Sequence, residues 1–164
     1  MTDALHPHHL APFAIAVLLA MPPVTHAQDA RNEWPKGSAP HTLYVQGERL
    51  QADRTSLDQA HASLLEALDN DPTASSSLAR SVASQQAQWL AYRHADCELA
   101  GTLTGAGGAW PSVHGLNCEI ESIAERLEVV RSATACLHQS GPDAPRYEQL
   151  ECLQGLVAWS MEED

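Results

Sequence analysis

Basic side chains are scarce in this sequence, and the familiar catalytic signatures are missing from it. Nine lysines and arginines stand against 21 aspartates and glutamates, giving a formal charge of −12. A surface of that sign repels nucleic acid and anionic lipid, and it favours a cationic partner or simply keeps a chain in solution. There is no His-Glu-x-x-His pair, no nucleophile elbow and no Gly-x-Gly-x-x-Gly fingerprint. Gly101, Gly105, Gly107 and Gly108 come at other intervals and fall between expected helices, so they read as a loop. Cys-x-x-Cys and Cys-x-x-Cys-His are also absent, which argues against thioredoxin-like, haem-attachment and zinc-finger chemistry. With no cofactor motif, no cofactor is expected, and the chain is not expected to be an enzyme.

The amino-terminal segment lacks the composition of folded protein. An apolar run from Ala11 to Met21 is followed by Pro22-Pro23-Val24-Thr25-His26-Ala27, which places small residues at Thr25 and Ala27. This pattern predicts a secretory signal over residues 1–27 with cleavage near Ala27. The leading stretch contains Asp3 and neither Lys nor Arg, only His6, His8 and His9, which carry partial positive charge. The apolar run is well short of the roughly 20 residues that cross a bilayer, so no transmembrane span is expected in the mature protein. No cysteine follows the cleavage position to carry a lipid anchor. A periplasmic or secreted protein is the expectation.

Four cysteines remain downstream, Cys97, Cys118, Cys136 and Cys152. An even count after an export signal predicts two disulfides, although four cysteines permit three pairings. Pairing sequence neighbours is the simplest solution. Each bond would then close a loop of roughly 20 residues, worth on the order of 3 kcal/mol.

Periodicity divides the rest of the chain. Residues 28–50 carry Pro35, Gly37, Pro40 and Gly47 among polar residues and are expected to form an irregular lead-in, with Trp34 tacking it to the domain. From Ser56, Leu57, Ala60, Leu64, Leu65 and Leu68 recur at helical spacing until Asn70-Asp71-Pro72. A second helix is expected from Thr73 or Ser75 to about Ala100, with Leu78, Val82, Trp89 and Tyr92 near one face and Gln85 and Gln86 interrupting it. A third is expected from Leu116 or Asn117 to Leu137 on Ile120, Ile123, Leu127 and Val130, ending at Gly141-Pro142. Tyr147, Leu150, Leu153, Leu156 and Val157 trace a short terminal helix. Strand alternation is nowhere sustained, so the fold class is all-α: a small disulfide-stabilised bundle of about four helices. Residues 51–138 form its main domain, and residues 139–164 form a C-terminal helical extension packed on it.

Trp89 and Tyr92 are expected in the core, with Arg93 one turn after Trp89 stacking on the indole or pairing with Asp96. His61, His94, His114 and His138 are too widely separated to define a metal site, which leaves metal binding a remote alternative. Glu119, Glu121, Glu125 and Glu128 offer carboxylates at ordinary helix spacing. Trp110, after the glycine-rich loop, is a candidate partner-binding anchor, while packing on the bundle is its structural alternative.

Taken together, the stretch from Asp53 to Leu68, the segment Gln88-Trp89-Leu90-Ala91-Tyr92-Arg93-His94-Ala95-Asp96-Cys97, Gly107-Gly108, Cys118 and Arg126 resemble the LprI-like family. That family includes envelope proteins described as inhibitors of lysozyme. The resemblance runs roughly from residue 53 to 131, and Trp89, Tyr92, Arg93 and Cys97 form its most specific part. Trp89, Tyr92, Arg93 and Arg126 correspond to the family's structural motif. Several features depart from the family pattern: no cysteine precedes Cys97, His94 replaces a common acidic residue, Ile123 stands near a frequent threonine, and Cys136 and Cys152 lie beyond the match. The resemblance implies a noncatalytic protein that blocks a cationic peptidoglycan hydrolase such as lysozyme or another basic envelope protein. An envelope interaction or assembly protein with a different partner is the alternative.

Overall fold

The computed structural model describes residues 33–69, 76–141 and 144–157. The expected signal segment and the Asn70-Asp71-Pro72 stop therefore lie outside the described residues. Among the described residues four α-helices follow in order: α1 over Ala39–Asp69, α2 over Ser76–Leu103, α3 over Trp110–Ser140 and α4 over Arg146–Cys152. A 3-10 turn over Gln154–Leu156 closes the described chain. No strand occurs among the described residues, and the protein is an all-α, disulfide-stabilised bundle.

Helix α1 begins well before the expected start at Ser56 and takes in much of the segment expected to be irregular. The chemistry of a helix start explains the difference. Ser38 caps the helix: its Oγ accepts from the His41 N–H at 3.4 Å, and its carbonyl accepts from Thr42 N–H at 2.9 Å. Pro40 then lies in the first turn, where its missing N–H has no helical partner to lose. Gly47 sits inside the helix at a propensity penalty of about 1 kcal/mol relative to alanine, which tertiary packing overrides. Leu50, Leu57 and Leu64 are buried every seventh residue, and Leu68 extends the same seam.

Helix α3 also starts early, at Trp110 rather than Leu116. Pro111 lies in its first turn and so begins the helix instead of breaking it. At the other end Gly141 adopts φ 76°, and its N–H donates to the Leu137 carbonyl at 3.3 Å. Such a positive φ suits glycine just past a helix end.

Helix α3 is the central element. It packs along both α1 and α2, which meet each other only lightly, while α4 and the 3-10 turn fold back onto it. Ile120, Ile123, Val130 and Ala133 of α3 join Leu50, Leu57, Leu64 and Leu68 of α1, Ala79 and Val82 of α2, and Leu153 and Leu156 in one core. Where α2 meets the start of α3, backbone approaches backbone. A Cβ on Gly101 would collide with the Pro111 carbonyl and lie 2.8 Å from Gly115 N, and one on Gly115 would lie 3.0 Å from the Cys97 carbonyl.

Two disulfides hold this arrangement. Cys97 of α2 bonds Cys118 of α3 across a Cα separation of 5.4 Å, and Cys136 of α3 bonds Cys152 of α4 across 5.5 Å. The first staples the close crossing, and the second ties the short C-terminal elements to the central helix.

Candidate functional site

Two helices deliver charge to a single buried carboxylate on a third. Glu119 of α3 is only 6% exposed. Arg54 Nη2 from α1 donates to its Oε2 at 2.6 Å, and Arg93 Nη2 from α2 lies 3.5 Å from the same oxygen. His94 Nδ1 meets Oε1 at 2.5 Å, and because an ionised carboxylate only accepts, that nitrogen carries the proton. Arg93 Nη1 also donates to the Glu119 main-chain carbonyl at 3.5 Å. Burial opposes ionisation of Glu119, but the hydrogen bonds from His94 and Arg54 and the charges of Arg93 and Arg54 together hold its carboxyl below its ordinary value. A carboxylate engaged in this way acts as an electrostatic strut. It has no free oxygen for acid–base work.

Arg93 thus takes its ion pair from Glu119, not from Asp96. Its Cζ lies 5.1 Å from the Trp89 ring centroid, so the expected stacking does occur. Burial depresses its pKa, with Glu119 opposing that effect. Tyr92 departs from the expectation of a core position and is 72% exposed. The buried face of α2 runs through Val82, Gln86, Arg93, Cys97 and Gly101, and Tyr92 stands about 100° around the helix from Arg93. That face admits polar residues, which an apolar stripe drawn through Tyr92 misses.

Arg126 of α3 is the second buried cation, 6% exposed. Its Nε donates to Gln86 Oε1 at 2.9 Å, Nη1 donates to the Leu156 carbonyl at 2.8 Å, and Nη2 donates to Gln85 Oε1. Its Cζ also lies 5.2 Å from the Trp89 centroid. No carboxylate pairs with it among the described residues, and burial lowers its pKa. The two glutamines that interrupt the apolar pattern of α2 are therefore its partners. Buried polar residues on a helical face demand partners, and that was the signal available in the sequence.

Arg93 and Arg126 border a groove of about 290 Å³ between α2, α3 and the 3-10 turn, with Trp89 and Tyr92 on one side and Ser122 and Glu125 on the other. Trp110 lies elsewhere, at the loop end of the bundle. It is 41% exposed, with its ring centroid 6.4 Å from that of His114. Leu99 and Leu103, at the last turns of α2, are exposed at the same end. The structure therefore does not bring Trp110 together with Trp89, Tyr92, Arg93 and Arg126. The histidines are also dispersed: His94 is on Glu119, His114 beside Trp110, and His138 in a groove between α1 and α3 that is also lined by Arg131 and Thr134. Among the described residues no group of three or more His, Cys, Asp or Glu is placed to hold a metal ion.

The described residues thus form a helical bundle held by two disulfides and a buried ion cluster. The family model described as lysozyme inhibitor LprI matches residues 35–129, and the chain belongs to that family. The match reaches back through the capped start of α1 and so includes the helix that extends beyond the sequence expectation. Membership of an inhibitor family places the chain among noncatalytic proteins. No curated protein and no solved structure matches it.

Proposed function

We propose that this protein is a secreted or periplasmic lysozyme-inhibitor-like protein that binds and blocks a cationic peptidoglycan hydrolase without catalysis. The observation that carries this reading is the LprI family match over residues 35–129. The acidic surface supports it, because opposite charge accelerates encounter with a basic enzyme and steers its orientation. In this reading a signal over residues 1–27 is removed near Ala27. The helical domain then works outside the cytoplasm, where its two disulfides persist and its C-terminal extension stays fixed to α3.

Rim charges add little affinity, so tight inhibition needs an apolar anchor. Trp110 supplies one. It is partly exposed at the end of the bundle, where Leu99 and Leu103 also face solvent. The motif residues Trp89, Arg93 and Arg126 act as the frame that keeps α2 and α3 in register. Lysozyme immobilised on a sensor and titrated with the oxidised protein tests the assignment. Saturable binding that Trp110→Ala weakens about tenfold, roughly 1.4 kcal/mol, with melting temperature unchanged, is the expected result. An unaltered affinity in that variant would remove Trp110 from the interface.

A further inference from the structure

The turn that joins α2 to α3 is free of charge in a chain crowded with it. From Leu99 to Cys118, 20 consecutive residues include no Asp, Glu, Lys or Arg, and the next such run after Asp29, residues 81–92, spans 12. His114, beside Trp110, is the one titratable side chain in the run apart from the disulfide-bonded Cys118. Large apolar side chains are exposed within it: Leu99 at 55%, Leu103 at 75% and Trp110 at 41%. Exposed apolar groups gathered at one end of a small protein mark an interaction surface.

This end is also stiff. The Cys97–Cys118 disulfide closes its base, and the two backbones meet closely at Gly101 and Gly115. Within the turn, Thr104 Oγ1 donates to the Gly101 carbonyl at 2.7 Å and accepts from the Ala106 N–H at 3.3 Å. The Trp110 N–H donates to the Gly107 carbonyl at 3.4 Å. A projection that is already ordered has little conformational freedom left to lose when a partner buries it. The bundle thus presents a rigid, neutral wedge.

Charge decides what such a wedge fits. On a cationic rim it would gain no ion pair, so that rim is left to the carboxylates elsewhere on the chain. A bilayer is a poor host, because the Thr102 and Ser112 hydroxyls and the glycine backbone of the turn would enter hydrocarbon with the leucines. The run also offers no Lys or Arg to lipid phosphates. A cleft built for a neutral polysaccharide suits it better. Ligand clefts are lined mostly by apolar and aromatic groups with a few polar ones. Those of glycoside hydrolases also hold a pair of carboxyl groups, which would repel an added carboxylate.

Resting on the inhibitor reading above, we propose that the uncharged wedge carrying Leu99, Leu103 and Trp110 occupies the saccharide cleft of the hydrolase, beside its catalytic carboxyl groups. The acidic remainder of the surface then faces the enzyme's basic rim. Attraction at long range and contact at the cleft are thereby assigned to different surfaces of opposite requirement: carboxylates in the first, none in the second.

Two substitutions at Leu103 read the sign of the charge that the wedge meets. Leu103 is the exposed last residue of α2, so Leu103→Asp and Leu103→Lys should both keep the parental melting temperature. Steady-state kinetics of lysozyme on a soluble chito-oligosaccharide, with oxidised protein titrated in, should show KM raised and kcat unchanged. Leu103→Asp should raise the inhibition constant at least tenfold more than Leu103→Lys, because like charges brought together in an interface are strongly unfavourable. Inhibition that lowers kcat at unchanged KM overturns the wedge assignment alone, as does an Asp variant that inhibits as well as the Lys variant. Sedimentation with phosphatidylcholine vesicles that Leu103→Asp abolishes, while inhibition is unaltered, would assign the wedge to a lipid surface instead. Absence of any lysozyme binding by the parental protein would overturn the inhibitor reading itself, and the wedge assignment with it.

Discussion

Glu119 and Arg126 are the two residues on which the fold is most exposed to single changes. Glu119→Ala would leave Arg93 buried without its carboxylate, and breaking such a pair costs on the order of 3–5 kcal/mol. Arg126→Ala would strip the partners from Gln85, Gln86 and the Leu156 carbonyl. Hydrogen bonds to a charged group contribute about 1.5–3 kcal/mol each, so a loss of at least about 3 kcal/mol is expected by urea denaturation. A loss below about 1 kcal/mol in either variant would mean that the network is incidental. Titration follows from the same residues. Glu119 has a folded pKa below its ordinary 4.5, so its stabilising effect is present above that value and disappears as pH falls through the lower, folded one. His61 is also held below its ordinary 6.5, by burial and the Arg126 charge, against a Val82 backbone hydrogen bond and the Asp58 charge. The unfolded chain therefore binds more protons at both positions, and stability falls on acidification. The melting temperature should begin to drop below about pH 6.5 and drop again below about pH 4.5. Glu119→Gln should abolish the second decline and leave the first, as read by thermal melts across pH.

At the scale of elements, the disulfides and the glycine crossing set what each helix contributes. Removing the Cys136–Cys152 bond by the double change to alanine should cost about 3 kcal/mol and raise amide exchange in α4 ahead of α1 and α3. Uniform exchange across the chain would contradict a local tether. Gly101→Ala should destabilise through backbone collision where α2 crosses α3, by an amount resembling a strained core substitution, about 1–3 kcal/mol. The helical class, the leucine seam of α1 from Leu57 to Leu68 and the inner face of α3 were legible because apolar residues recur at the helical period. The early starts of α1 and α3 were not. In both a proline stands in the first turn, where it is compatible with a helix, and Ser38 caps α1. The exposure of Tyr92 has a related cause. The buried face of α2 carries Gln86 and Arg93, and the partners that make their burial tolerable, Arg126 and Glu119, come from α3, remote in sequence. Periodicity within one helix does not report a partner 26 or 40 residues away.

At the scale of the molecule, the chain joins an acidic exterior to an interior pinned by buried cations. Arg93 and Arg126 are desolvated and cannot steer a partner, so the surface potential belongs to the excess of carboxylates. The family match covers the helices that build this frame, and C-terminal to it lie the Cys136–Cys152 staple and α4. Fold and partner are therefore set by different residues. The frame follows from packing and from the ion cluster, whereas a partner is chosen by exposed side chains that packing does not fix. An interface assembled by opposite charge should lose on-rate as salt rises, because exposed charges are screened over about 8–10 Å at physiological ionic strength. The most direct test of the central claim is lysozyme turnover of peptidoglycan with the oxidised protein titrated in at two salt concentrations. Saturable inhibition that weakens at the higher salt is the predicted result; turnover unaffected at both, across several classes of lysozyme, would contradict it.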